Sequence, residues 1–94
     1  MTKKTTSDQL SLMLAIPKSR ALEATLKAQL IAAVSREVAR QGLTHAELAQ
    51  RSGLPRSAVT GILAGSLQRV TIDRLLRLVE AAGLEAAIRI RRAA

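Results

Sequence analysis

The stretch Thr44-His45-Ala46-Glu47-Leu48-Ala49-Gln50-Arg51-Ser52-Gly53-Leu54-Pro55-Arg56-Ser57-Ala58-Val59-Thr60-Gly61-Ile62-Leu63-Ala64-Gly65 decides the fold. Thr44 and Glu47 stand at capping-box spacing, in which the hydroxyl and the carboxylate satisfy orphan amides at a helix start. The helix they open is short and ends near Ser52. Gly53 follows, where a left-handed residue is wanted to close it. Pro55 belongs in the first turn of the next helix, where a missing amide hydrogen costs nothing. That helix turns Ala58, Val59, Ile62 and Leu63 inward before Gly65 stops it. Ala49 is small enough for the two helices to cross closely, and Val59 fills the core beneath them.

Outward from this pair the punctuation repeats. Gly42, Gly53, Gly65 and Gly83 each follow an apolar-periodic stretch, so four of the five glycines read as helix stops and four helices result. The first is predicted from about Arg20 to Gln41, with Ser19 as N-cap and Leu22, Leu26, Leu30, Ala33, Val34 and Val38 along one face. The last starts after Thr71, places Asp73 in its first turn where the macrodipole favours an anion, and buries Ile72, Leu75, Leu76, Leu78 and Val79. Beyond Gly83 the period drops to two. Leu84, Ala86, Ile88 and Ile90 alternate with Glu85, Ala87, Arg89 and Arg91, the pattern of a strand with one apolar face. The chain offers it no second strand, so its backbone is expected to pair with the same segment of a second copy. Continuation as helix is the alternative. The expected organisation is a flexible segment over 1–18, a helical domain over 19–83 and a dimerisation strand over 84–92.

Composition narrows the chemistry. The 94 residues carry a net charge of +8, no cysteine and no Phe, Tyr or Trp. A disulfide framework, a thiolate metal site and a Cys nucleophile are excluded, and nothing demands an oxidising compartment, so a cytoplasmic location is expected. Without aromatic platforms, single-stranded nucleic acid of the stacking type is disfavoured. The basic balance points to double-helical backbone, an acidic protein or a membrane surface. Charge alone does not locate a site, because residues 1–42 and 43–94 each sum to +4. Lys3 and Lys4 ahead of the apolar run Leu10–Ile16 mimic a secretory signal, but Pro17, Lys18 and Arg20 stand where a small-residue cleavage site would be. No stretch approaches the roughly 18–20 apolar residues of a membrane span. His45 is the only histidine, and no nucleophile elbow, phosphate loop or acidic metal cluster is present. No catalytic residue, metal or cofactor is therefore expected, and the chain is not expected to be an enzyme.

A helix, a short turn holding a glycine and a second helix make the spacing of a helix-turn-helix, whose second helix can lie in a major groove. Arg56, Ser57 and Thr60 lie on that helix opposite Val59, Ile62 and Leu63, which makes them the candidates for base edges, Arg56 above all for a bidentate guanine contact. Thr44, His45, Arg51, Gln68, Arg69, Thr71 and Arg74 flank it as candidates for the DNA backbone. Gly61 sits mid-helix, where glycine costs about 1 kcal/mol relative to alanine. Close approach to DNA, sequence drift and a tight helix contact all account for it.

With those residues in view, Gly42 to Thr60 resembles the Cro/repressor (XRE) family of helix-turn-helix domains. Val70 to Arg91 is similar to the end of the small HigA-like antitoxins within it. The resemblance covers roughly residues 22–92. It implies a mainly α fold, a four-to-five-helix Cro/repressor-like domain with one C-terminal β-strand, Leu84, Ala86, Ile88 and Ile90, that pairs across a homodimer. It further implies a repressor that binds a palindromic operator in double-stranded DNA, controls its own operon and neutralises a co-encoded toxin, in this group usually an mRNA-cleaving RelE-fold protein. His45 stands where the family most often has glutamine, and Gly61 where many relatives carry Arg or Lys. The rival expectation is a protein-interaction module with little or no DNA binding, in which Leu10–Ile16 and the long first helix clamp a partner. A membrane-surface amphipathic protein is the weakest option.

Overall fold

The computed structural model describes residues 18–93, so the expectations for residues 1–17 fall outside it. Four helices follow in order among the described residues: α1 (Lys18–Gln41), α2 (His45–Ser52), α3 (Arg56–Leu63) and α4 (Ile72–Ala81).

Their boundaries are chemical. Thr44 Oγ1 accepts from the Glu47 amide at 3.0 Å, and Glu47 Oε1 accepts from the Thr44 amide at 3.2 Å, so the expected capping box closes α2 at its start. At its end Gly53 adopts φ 75° and donates its amide to the Ala49 carbonyl at 2.9 Å. Only a residue without Cβ takes that conformation cheaply, and it lets the chain reverse into α3 within three residues. Pro55 occupies the N-cap of α3 rather than its first turn. At φ −60° and ψ 145° it is extended, and its carbonyl accepts from Ala58 and Val59. Thr71 caps α4 through Oγ1, which accepts from the Arg74 amide at 3.2 Å. Ser19 does not cap α1, because the helix has already begun at Lys18.

The core is aliphatic. Val34 of α1, Leu48 of α2, Val59 and Ile62 of α3, and Leu75, Leu78, Val79, Ala81 and Ala82 at α4 form one buried cluster with the loop residues Leu54 and Val70. Leu30, Val38 and Ala49 pack against it half-buried. Two expectations of burial fail for a geometric reason. Leu22 and Leu26 remain 56% and 42% exposed. In the same turns Ala21 and Lys27 are buried instead, so the side that α1 covers there is not the Leu22–Leu26 stripe. Leu76, expected inside, is 42% exposed, because the buried stripe of α4 is already filled by Leu75, Leu78 and Val79.

Gly83, at φ 79°, ends α4, and helix does not continue beyond it. Residues 84–93 carry no strand assignment either, since nothing else among the described residues offers a ladder to pair with. Leu84 packs against the core, while Ile88 and Ile90 are 87% and 89% exposed.

Candidate nucleic-acid interface

The short helices α2 and α3 pack against each other, Ala49 lies half-buried against the core, and the burial of Val59 and Ile62 fixes the roll of α3. Its other side therefore faces solvent with Arg56, Ser57 and Thr60, the three residues expected to read bases. Thr60 is not free of the fold, however. Its Oγ1 lies 2.8 Å from His45 Nδ1, a hydrogen bond that ties the first residue of α2 to the outer face of α3. A bond between positions fifteen apart leaves no trace in local sequence pattern.

The remaining candidates divide. Arg51 is engaged inside the molecule: it pairs with Glu47 at 4.0 Å, and its Nη1 donates to the Ala81 carbonyl at 3.4 Å. Thr44 and Thr71 serve as helix caps. Gln68, Arg69 and Arg74 are exposed on the loop and helix start beyond α3. Arg69 and Arg74 line one shallow notch together with Ala58, Gly61, Ile62, Ser66 and Val70. Ser66, which the sequence did not single out, enters the site through the turn that closes α3, where its amide donates to the Gly61 carbonyl at 3.1 Å.

The electrostatics of this side are one-signed. From Leu48 to Ile72 the sequence holds no acidic residue and three arginines. Each acid at the borders is already engaged, Glu47 with Thr44 and Arg51, and Asp73 with Arg77 at 3.3 Å. Among the described residues the side chains of Arg56, Arg69 and Arg74 have no ion pair or hydrogen bond. Arg56 and Arg74 also stand in the first turns of α3 and α4, at the positive ends of the helix dipoles, where an unpaired cation is disfavoured.

One residue that the sequence did not single out ties two helix ends together. Gln41 Nε2 donates to Glu37 Oε1 at 2.7 Å and to the Ala82 carbonyl at 2.8 Å, joining the end of α1 to the end of α4. Arg40 pairs with the same carboxylate. The Arg40 and Gln41 hydrogen bonds hold the Glu37 carboxyl down at about 2, and Arg40 is pushed up by its side of the pair.

Two short helices packed together across a tight glycine turn, with the second presenting a polar and basic face, define a helix-turn-helix DNA-binding domain. Residues 15–91 match the family described as helix-turn-helix domain, and the chain belongs to that family. No curated protein and no solved structure matches the chain. No helix among the described residues is long and apolar enough to cross a membrane, and none of their His, Asp and Glu side chains group as a metal site would require.

Proposed function

We propose that the protein is a sequence-specific, double-stranded-DNA-binding transcriptional repressor of the Cro/repressor type. It acts as a homodimer on a palindromic operator. The observation that carries this is the pair Arg56 and Arg74, unpaired cations in the first turns of two helices. Each such placement costs the free fold about 0.3–1 kcal/mol, and an anionic ligand reverses the sign. In the groove, Arg56 reads a guanine while Ser57 and Thr60 approach neighbouring base edges, with Thr60 aimed by His45. Gln68, Arg69 and Arg74 contact phosphates.

Selection of bound duplexes from a random pool tests this directly. The expected winners contain two half-sites about 34 Å apart, the separation of successive major grooves on one face. Arg56→Ala is expected to lose preference for the winner over random duplex by roughly 5- to 150-fold, the equivalent of about 1–3 kcal/mol. A pool that shows no enrichment rejects base reading.

Dimerisation falls to residues 84–92. Ile88 and Ile90 are not covered by any of the described residues, and the exposed Leu76 borders a groove with Val79, Leu84 and Ala86. Glu80 and Glu85 also line that groove, and its apolar part together with Ile88 and Ile90 is surface that a second copy would bury. The narrower assignment is an antitoxin that represses its own operon and neutralises a co-encoded RelE-fold toxin. The exposed Leu22 and Leu26 in the first half of α1 support a protein partner there. If the adjoining reading frame encodes a growth-arresting protein, co-expression with this chain should relieve the arrest. Failure of that rescue removes the antitoxin role and leaves the repressor.

A further inference from the structure

Gly61 is the glycine the fold does not use. The other four have positive φ and end helices, whereas Gly61 lies inside α3 without one. A Cβ built on it meets nothing within 4 Å among the described residues, so no tight contact with them excludes alanine. Glycine is a poor helix former beside alanine, and α3 is only eight residues long. The free molecule is therefore less stable with glycine than it could be, at a position flanking Ser57 and Thr60.

The surroundings indicate what the bare backbone admits. Gly61 forms one wall of the notch whose polar side chains are Ser66, Arg69 and Arg74. None of these three has an ion pair or hydrogen bond from its side chain among the described residues, and no acidic residue lines the notch. A hydroxyl and two guanidinium groups around a concavity with one backbone wall suit a tetrahedral, singly charged phosphodiester. We propose that this notch seats a sugar-phosphate unit of duplex DNA, and that residue 61 is glycine so that the unit can close against the α3 backbone. Ser66 donates its hydroxyl to the phosphate, and Arg69 and Arg74 neutralise it. This rests on the DNA-binding assignment above and adds to it a contact that is independent of sequence and sets how deeply α3 enters the groove.

The test uses the full chain with a random-sequence 25-base-pair duplex, titrated over a range of KCl concentrations, alongside thermal melts without DNA. Gly61→Ala should raise Tm by about 4–8 °C, following its helix propensity. It should also weaken duplex binding about tenfold or more, because the added methyl holds the phosphate off the arginines. The slope of log affinity against log salt should fall in Gly61→Ala, and by about one in Arg69→Ala and in Arg74→Ala. Adding Arg69→Ala to Gly61→Ala should then cost little more. Gly61→Ala binding duplex as tightly as the natural chain, or melting lower than it, overturns the notch while DNA binding stands. A natural chain that binds no duplex even at low salt overturns both.

Discussion

The capping box at Thr44 offers a close test of how local chemistry holds this fold together. In Thr44→Ala, the acceptor for the Glu47 amide at 3.0 Å disappears, as does the hydroxyl that donates to Glu47 Oε1 at 3.0 Å. Loss of an N-cap of this kind costs about 1 kcal/mol, within a range of roughly 0.5–2. The eight residues of α2 have no independent helical stability, so the whole loss falls on the domain. In a domain of this size it lowers Tm by about 4–8 °C. Glu47→Ala removes the reciprocal bond and a first-turn anion, while its 4.0 Å pair with Arg51 is exposed and adds little. Because the two side chains bond each other, the double variant should lose about 0.5–1 kcal/mol less than the two single losses added together. Thr44→Ser keeps the hydroxyl and should melt within a few degrees of the natural chain. Circular dichroism melts of the four variants, checked by urea unfolding, measure all of this. Strict additivity, or Thr44→Ala and Thr44→Ser melting alike, refutes the reasoning.

The core makes a larger claim. Leu75→Ala, at a fully buried site, should cost about 2–5 kcal/mol and bring a small domain close to unfolding, whereas Leu76→Ala on the same helix should cost under about 1. Melts of the two variants at one protein concentration decide it. Replacing both Ile88 and Ile90 with Asp should leave the chain folded but convert a dimer to a monomer in sedimentation, since both side chains are exposed among the described residues. A variant that still sediments as a dimer removes residues 84–92 from the interface. The lowered Glu37 carboxyl makes its contribution fully present above its ordinary value of 4.5 and lost as pH falls through about 2. Between those limits the melting temperature of the natural chain should fall more steeply than that of Glu37→Gln, and parallel curves would refute the linkage.

Much of this architecture is legible along the sequence because its signals are short-range. Thr44 with Glu47, Thr71 ahead of α4, and the glycines at 42, 53, 65 and 83 act within a few residues, and each stands where local chemistry placed it. The exposed face of α3 was equally readable, since burying Val59 and Ile62 fixes what faces outward. Periodicity could not give the side on which a helix is covered. Leu22 and Leu26 keep the spacing of a buried stripe, yet in those turns Ala21 and Lys27 are the residues covered. Contacts that span the fold were also invisible. The His45 bond to Thr60, the Arg51 bond to Ala81 and the Gln41 bond to Ala82 link positions 15, 30 and 41 residues apart. Gly61 was visible as an anomaly, and only the open space around its missing Cβ removed the tight helix contact from its explanations.

The corner at Ala81, Ala82 and Gly83 has a mechanical consequence. The last helical carbonyls are gripped by Gln41 and Arg51, and the Leu84 amide donates back to the Val79 carbonyl at 3.0 Å. Residues 84–93 thus leave the domain from a clamped anchor with a set heading, not from a loose hinge. One side of that clamp is α2, whose first residue also holds Thr60 on α3. The point at which the C-terminal segment leaves the domain is therefore held in place relative to the reading face. In a pair of chains joined there, the spacing between two reading helices would be a property of the folded bodies, and tension on the tail would reach α2 before it moved α3.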